Sequence, residues 1–224
     1  MRRFCCAALL ALAAAGRAET IDAVLARMDA SARQFHSFSA RIQRTDFTAV
    51  LNDSEVMNGT ILMKRDKNGV TGIMDFTEPN AHIIAIAGHS VQIFHPKANA
   101  VEIYDTTKYR AVMDEYLLLG FGTTAAELEK AYAPKVTGTD AVASVVSTRI
   151  ELTPKSAQAQ ELIRKIELWI PEGQSNPVQE KITKASKDTI LVDYSELKIN
   201  PELPASAFEL KLPPGVRKLQ PNKK

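Results

Sequence analysis

Cysteine is confined to Cys5 and Cys6, so from residue 7 onward the chain carries no thiol. That excludes a cysteine nucleophile, a disulfide framework, a zinc finger and an iron–sulfur site from the bulk of the sequence. Long apolar runs are equally scarce. The one candidate, Phe4–Ala15, is about a dozen residues, short of the roughly 20 that a membrane-spanning helix needs. An excess of one charge is missing too: 28 Lys+Arg face 26 Asp+Glu. Setting aside Arg2, Arg3 and Arg17 leaves 25 basic residues. No basic stripe marks a nucleic-acid surface, and Lys223-Lys224 reads as a short solvated tail. Tryptophan occurs once, at Trp169.

The first eighteen residues read as a secretory signal. Arg2-Arg3 precede the apolar run, and Gly16-Arg17-Ala18 places small residues at the −3 and −1 positions of a cleavage site. Both cysteines stand at the start of that run, where they cannot serve as a lipid-attachment site behind it. Residues 1–18 are therefore expected to leave, and residues 19–224 to form a single exported domain without disulfides. About 200 residues can bury a full core without such crosslinks.

The remainder opens on one amphipathic helix that runs into a strand. In Thr20–Phe47, the residues Ile21, Val24, Leu25, Met28, Ala32 and Phe35 form one apolar stripe at helical spacing. From Phe38 the pattern becomes extended. Short strands then recur at even spacing. Val56–Arg65 and Val70–Phe76 meet at Asp66-Lys67-Asn68-Gly69, with its Asn-Gly hairpin signal. His82–Ala87, Ser90–His95 and Ala100–Tyr104 follow. The middle is helical: Tyr109, Val112, Met113, Tyr116, Leu117 and Leu119 share a helical period that stops at Gly120-Phe121-Gly122. Thr124-Ala125-Ala126-Glu127 is a capping box for a second short helix, expected to end at Pro134. Strands return at 135–139, 144–152, 163–170, 178–184, 189–199 and finally Phe208–Leu212. The expected class is mainly β (α+β), with about eleven strands and about three helices. One antiparallel sheet of that size curls, and the helices must cover or fill its concave side.

Residues able to carry chemistry are few. His82, His89 and His95 lie at spacings of seven and six, unlike metal-ligand pairs, and read as hairpin histidines. Gly88-His89-Ser90-Val91-Gln92 half-matches a nucleophile elbow, but Gln92 replaces the second glycine and a strand follows. Glu127 and Glu129 do not share a helix face, and the glycines of Gly120-Phe121-Gly122 follow a helix instead of opening one. Trp169 is out of phase with Ile166, Leu168 and Ile170, either as an ordinary half-buried aromatic or as a wall of a ligand cavity. No catalytic residue, metal site or cofactor is expected.

The order of motifs resembles a family. The helix, Ser37-Phe38-Ser39-Ala40, a strand ending Lys64-Arg65 and then Phe76-Thr77-Glu78-Pro79 are similar to the periplasmic outer-membrane lipoprotein carrier (LolA-like) family. So are the hairpin Ile84–Pro96, the run Leu152-Thr153-Pro154-Lys155, the segment Asn200–Phe208 and the closing Leu212-Pro213-Pro214-Gly215-Val216. The resemblance implies an incomplete antiparallel β-barrel, a periplasmic location and an apolar cavity under a helical lid. It also implies acylated lipoprotein cargo, an inner-membrane releasing transporter, an outer-membrane acceptor and a monomeric, non-enzymatic carrier. The family's lid-holding arginine corresponds to Arg65, with Asp66 where the family has proline. Ile21, Val24, Leu25, Met28, Phe35, Tyr109, Val112, Met113, Tyr116, Leu117 and Trp169 are the apolar candidates for lid and cavity.

Two alternatives stay open. A module on the same fold could sense lipids or lipoproteins and act on a membrane regulator, and the opening helix could be a permanent core helix instead of a lid hinged near His36-Ser37.

Overall fold

The computed structural model describes residues 19–221 apart from 68 and 78, and without the side chains of residues 66, 109, 111, 112, 114 and 115. The signal-like segment 1–18 lies outside the described residues. In chain order the elements are α1 (Ile21–Ala32), β1 (Ser37–Thr48), β2 (Asp53–Asp66), β3 (Gly69–Phe76), β4 (His82–Ala87), β5 (Ser90–His95) and β6 (Ala100–Asp105). Then come α2 (Arg110–Leu117), α3 (Ala125–Ala131), β7 (Tyr132–Val142), β8 (Val145–Pro154), α4 (Ala157–Gln160), β9 (Ile163–Pro171), β10 (Gln179–Lys184), β11 (Thr189–Ile199) and β12 (Arg217–Leu219).

All twelve strands belong to one sheet, in the order β12-β6-β5-β4-β3-β2-β1-β11-β10-β9-β8-β7. The chain starts at the centre with β1 and meanders outward to β6. It then crosses to the far edge at β7 and meanders back to β11, which pairs with β1. Neighbouring strands are antiparallel except β12, which runs parallel to β6. The sheet is open and curved, with the helices packed on its concave face. Residues 106–131 are the crossover between opposite edges, and α2 and α3 lie over that face.

Local chemistry accounts for the elements. Thr20 caps α1 by accepting from the Ala23 amide at 3.3 Å. Thr124 and Glu127 form the expected capping box at α3, with the Glu127 carboxylate accepting from the Thr124 amide at 2.9 Å. The hairpin predicted at residues 66–69 pairs Asp66 with Gly69.

Two expectations are corrected. The helix α3 ends at Ala131, and Pro134 sits inside β7. β7 is an edge strand, where a residue without an N–H is tolerated. Phe208–Leu212 is not a strand: Ala205–Phe208 is a 3₁₀ turn, and the last strand is β12. Both sides of β11 are already paired, so the tail has no edge to join until it reaches β6. Twelve strands agree with the eleven or so expected, and a one-turn α4 accompanies the three longer helices.

Two apolar clusters fill the concave side. In the first, Val24, Leu25 and Met28 of α1 pack with Leu119, Leu128 and Tyr132 against inward residues of β8–β10, including Ile150, Ile166, Leu168 and Ile170. In the second, Phe35, Leu118 and Phe121 pack on Phe38, Ile42, Met57, Ile61 and Phe76. The stretch Leu118–Phe121 therefore wedges between them, with Leu119 in one cluster and its neighbours in the other. Phe121 is 1% exposed, its ring stacked 4.2 Å from Phe38 and edge-on to Tyr194 at 5.1 Å. Truncating a fully buried aromatic costs about 3–5 kcal/mol. Phe121→Ala should therefore lower unfolding stability by that amount in denaturant titration, with the exposed Leu162→Ala change staying within about 0.5 kcal/mol.

Candidate functional site

The concave face and its roof form the candidate site. Cross-strand register fixes which side chains point inward: Ile42 lies opposite Tyr194 and Gly59, Ile61 opposite Met74, and Ile84 opposite Ile93. Most of these positions are apolar, as a covered sheet face requires.

The candidates taken from the sequence distribute as follows. Val24, Leu25 and Met28 are buried in the first cluster, with Ile21 and Tyr116 packed at its margin. Phe35 belongs to the second cluster, and Met113 and Leu117 pack against it. The side chains of Tyr109 and Val112 lie outside the described residues. Trp169 is on the opposite, outer face: its indole N–H donates to Asp140 Oδ2 at 2.9 Å, and the Arg149 guanidinium lies 6.0 Å from its ring. It lines a depression of about 680 Å³ there, away from the roof.

The roof is hooked to the sheet through backbone carbonyls. Arg65, at the end of β2, donates from Nη1 to the Gly122 carbonyl at 3.1 Å. The same nitrogen lies 3.9 Å from Glu127 Oε1, a contact that adds little at a half-exposed carboxylate. On the other side, the buried Asn176 amide donates to the Gly120 carbonyl at 3.0 Å. Gly120 and Gly122 have φ of +80° and +75°, in the left-handed region that favours glycine. A Cβ on Gly122 would also stand 2.2 Å from the Phe35 ring. Both glycines are needed to present their carbonyls while Phe121 points inward.

The helices α1 and α3 are tied together, because Asp29 Oδ1 accepts from the Ala125 amide at 2.6 Å in the first turn of α3. The junction between α1 and β1 is also held. Asn200 Oδ1 accepts from the His36 and Ser37 amides at 2.7 and 3.2 Å, and its amide donates to the Gln34 carbonyl at 2.6 Å. Between the β2–β3 hairpin and α3 lies a cavity of about 450 Å³. Arg65, Lys67 and Val70 form one wall, and Leu119, Leu128 and Tyr132 the other.

Under the roof sits one buried acid. Glu180 of β10 is 6% exposed and accepts from the Tyr194 hydroxyl at 3.2 Å. Burial pushes its carboxyl up to about 7, opposed by the Tyr194 hydrogen bond. Burial and the nearby Glu180 charge likewise push the Tyr194 and Tyr116 hydroxyls up. Arg44 and Asp46 of β1 and Tyr132 lie near enough to act on the Tyr116 hydroxyl electrostatically.

The histidines are dispersed. His82 and His95 share one end of the β4–β5 hairpin, with ring centroids 6.1 Å apart, and His89 is at its turn. Among the described residues no group of three or more His, Cys, Asp or Glu side chains is placed to hold a metal ion.

Sequence reasoning missed Leu118, Phe121, Asn176, Asn200 and Glu180. A signal existed for the first two: Leu117-Leu118-Leu119-Gly120-Phe121-Gly122 is too apolar for a solvated turn. Asn176 and Asn200 act through contacts distant in sequence and left none.

No family model matches the chain, and no curated protein sequence does either. Solved structures do. An uncharacterized conserved protein from Thermus thermophilus aligns with a TM-score of 0.55 at 10% identity, over 89% of this chain and 98% of that one. MucB aligns with a TM-score of 0.50 at 13% identity, over 85% of this chain; the chain spans 62% of MucB's length. A LolA superfamily protein, NE2245 from Nitrosomonas europaea, aligns with a TM-score of 0.42 at 17% identity, over 86% of this chain and 99% of that one. The first two define the class: an open, curved antiparallel sheet with helices on the concave face. At these identities the likeness is one of fold.

Glu180 generates a pH prediction. Its pKa is raised in the folded state, so folding takes up a proton between the unfolded and folded values. Its contribution is fully present below about 4.5 and is lost as pH rises through about 7. That difference corresponds to on the order of 3 kcal/mol. Glu180→Gln should flatten the decline in unfolding free energy between pH 5 and 8, measured by denaturant titration. An unchanged slope would assign the decline to other groups.

Proposed function

We propose that the protein is a periplasmic carrier that shields the acyl chains of lipoproteins against the concave face of its sheet and moves them from inner-membrane release towards the outer membrane. The observation that carries this reading is the roof. An apolar sheet face is covered by a crossover segment that packs on it through Leu118, Leu119 and Phe121 and is tied down by hydrogen bonds that include those to the Gly120 and Gly122 carbonyls.

Energetics favour the arrangement. Burying a methylene is worth about 0.8 kcal/mol, so acyl chains do not cross water unshielded. An empty carrier must hide its own apolar face, because a large exposed patch aggregates. Val24, Leu25, Met28, Leu118 and Phe121 occupy that place here. Five such side chains contribute roughly 7–15 kcal/mol gross, opposed by ordering entropy of similar size. The small remainder makes exchange of roof for cargo reversible. Arg65 would bias the exchange by about 1.5–3 kcal/mol, the range for a hydrogen bond to a charged donor.

Arg65→Leu removes that bias towards the closed, empty form. The variant should retain acylated lipoprotein through purification from its own periplasm and release it to an acceptor at least about tenfold more slowly than wild type. Normal release would remove Arg65 from the cycle. Wild-type protein that never co-purifies with acylated lipoprotein would count against the carrier reading. Recovery of a membrane regulator in its place would favour the sensing alternative.

A further inference from the structure

The concave face changes character at one end. Along β1, β2, β4, β5 and β6 the inward positions there are Arg44, Asp46, Glu55, His82, His95 and Glu102, fixed by the pairs Asp46–Glu55, Phe76–His82, Ile93–Glu102 and His95–Ala100. They surround an open cavity of about 620 Å³ whose floor is Met57, Ile84 and Ile93. Among the described residues none from α1, α2 or α3 lines it.

Charged side chains on an inward sheet face are costly unless they are paired or wetted. These are oriented by neighbours. Arg44 donates from Nε and Nη2 to the two Asp46 oxygens at 2.7 and 2.8 Å, with N–H donors to spare. Glu55 accepts from Asn80. His82 Nδ1 lies 2.7 Å from the Asn80 carbonyl, with its ring stacked 4.8 Å from Phe76. Glu102 accepts from the Tyr104 hydroxyl at 2.5 Å and lies 3.6 Å from His95 Nε2. The end therefore offers hydrogen-bond donors and carboxylates side by side, continuous with an apolar floor.

An amphiphile matches that sequence of surfaces when its head carries both signs. We infer that this end is a headgroup site for a zwitterionic lipid of the phosphoethanolamine type, its acyl chain running along Met57, Ile84 and Ile93 towards the roofed part of the face. Arg44 faces the phosphate, and Glu55 and Glu102 accept from the primary ammonium, whose N–H donors a quaternary amine lacks. This assignment rests on the carrier reading and adds a place for the polar end of the ligand.

The test is binding of two single-chain probes with the same acyl chain, below their micelle thresholds: lysophosphatidylethanolamine and the neutral monoacylglycerol. Wild-type protein should bind the first about tenfold more tightly. In the double variant Glu55→Gln, Glu102→Gln that preference should fall to about twofold or less, with monoacylglycerol affinity unchanged. Monoacylglycerol binding with no preference for the zwitterion overturns the headgroup site and leaves the carrier reading standing. If neither probe binds, the carrier reading fails and the site with it. The wild-type comparison decides the matter even if the double variant does not fold.

Discussion

The chain leaves its sheet at one edge and re-enters at the other, and the rest of the molecule follows from that constraint. β6 and β7 are adjacent in sequence and lie at opposite ends of the twelve-strand order once β12 is set aside. Their connection has to span the sheet, and on a curved sheet the concave side is the short way across. A connection on that side is buried, so its residues must be apolar where they face inward and its carbonyls must find donors. Leu118, Leu119 and Phe121 meet the first demand, and Arg65 and Asn176 meet the second.

The same constraint separates what covers the sheet from what builds it. The strands hold one another through continuous ladders, whereas the crossover is held by side-chain packing and a few donors reaching from elsewhere. α1 joins the roof through Asp29 and the shared cluster around Leu128. Its junction with β1 is clamped by Asn200. α1 and α3 are thus joined to each other, with the Gly-Phe-Gly loop beside them.

Much of this is legible in the sequence alone. Alternation and turn residues locate His82–Ala87, Ser90–His95 and Thr189–Ile199 to the residue, because hairpins with tight turns are local events. The capping box of α3 is legible for the same reason. What cannot be read is anything set by partners far away in sequence. Phe208–Leu212 alternates like a strand, yet no free edge is within its reach. Glu180 shares the inward side of β10 with Ile182, but a carboxylate at a strand's start ordinarily marks solvent, and only the Tyr194 hydroxyl across the ladder makes its burial intelligible. Trp169 is set apart from Ile166, Leu168 and Ile170 by alternation, and the sheet's curvature decides that its side is the outer one.

An open sheet has two edges, and an unpaired edge invites another chain. One edge here is covered by β12, short, parallel and carrying Arg217 and Lys218. The other, β7, has Pro134 and Lys135 near its start and is broken by a bulge between Val136 and Gly138. On the proposed cycle the roof lifts and the sheet is briefly uncovered. Edges that refuse a stranger's strand allow the face to be bared on that cycle without seeding a fibre. The sheet's failure to close is tolerable because its margins are guarded.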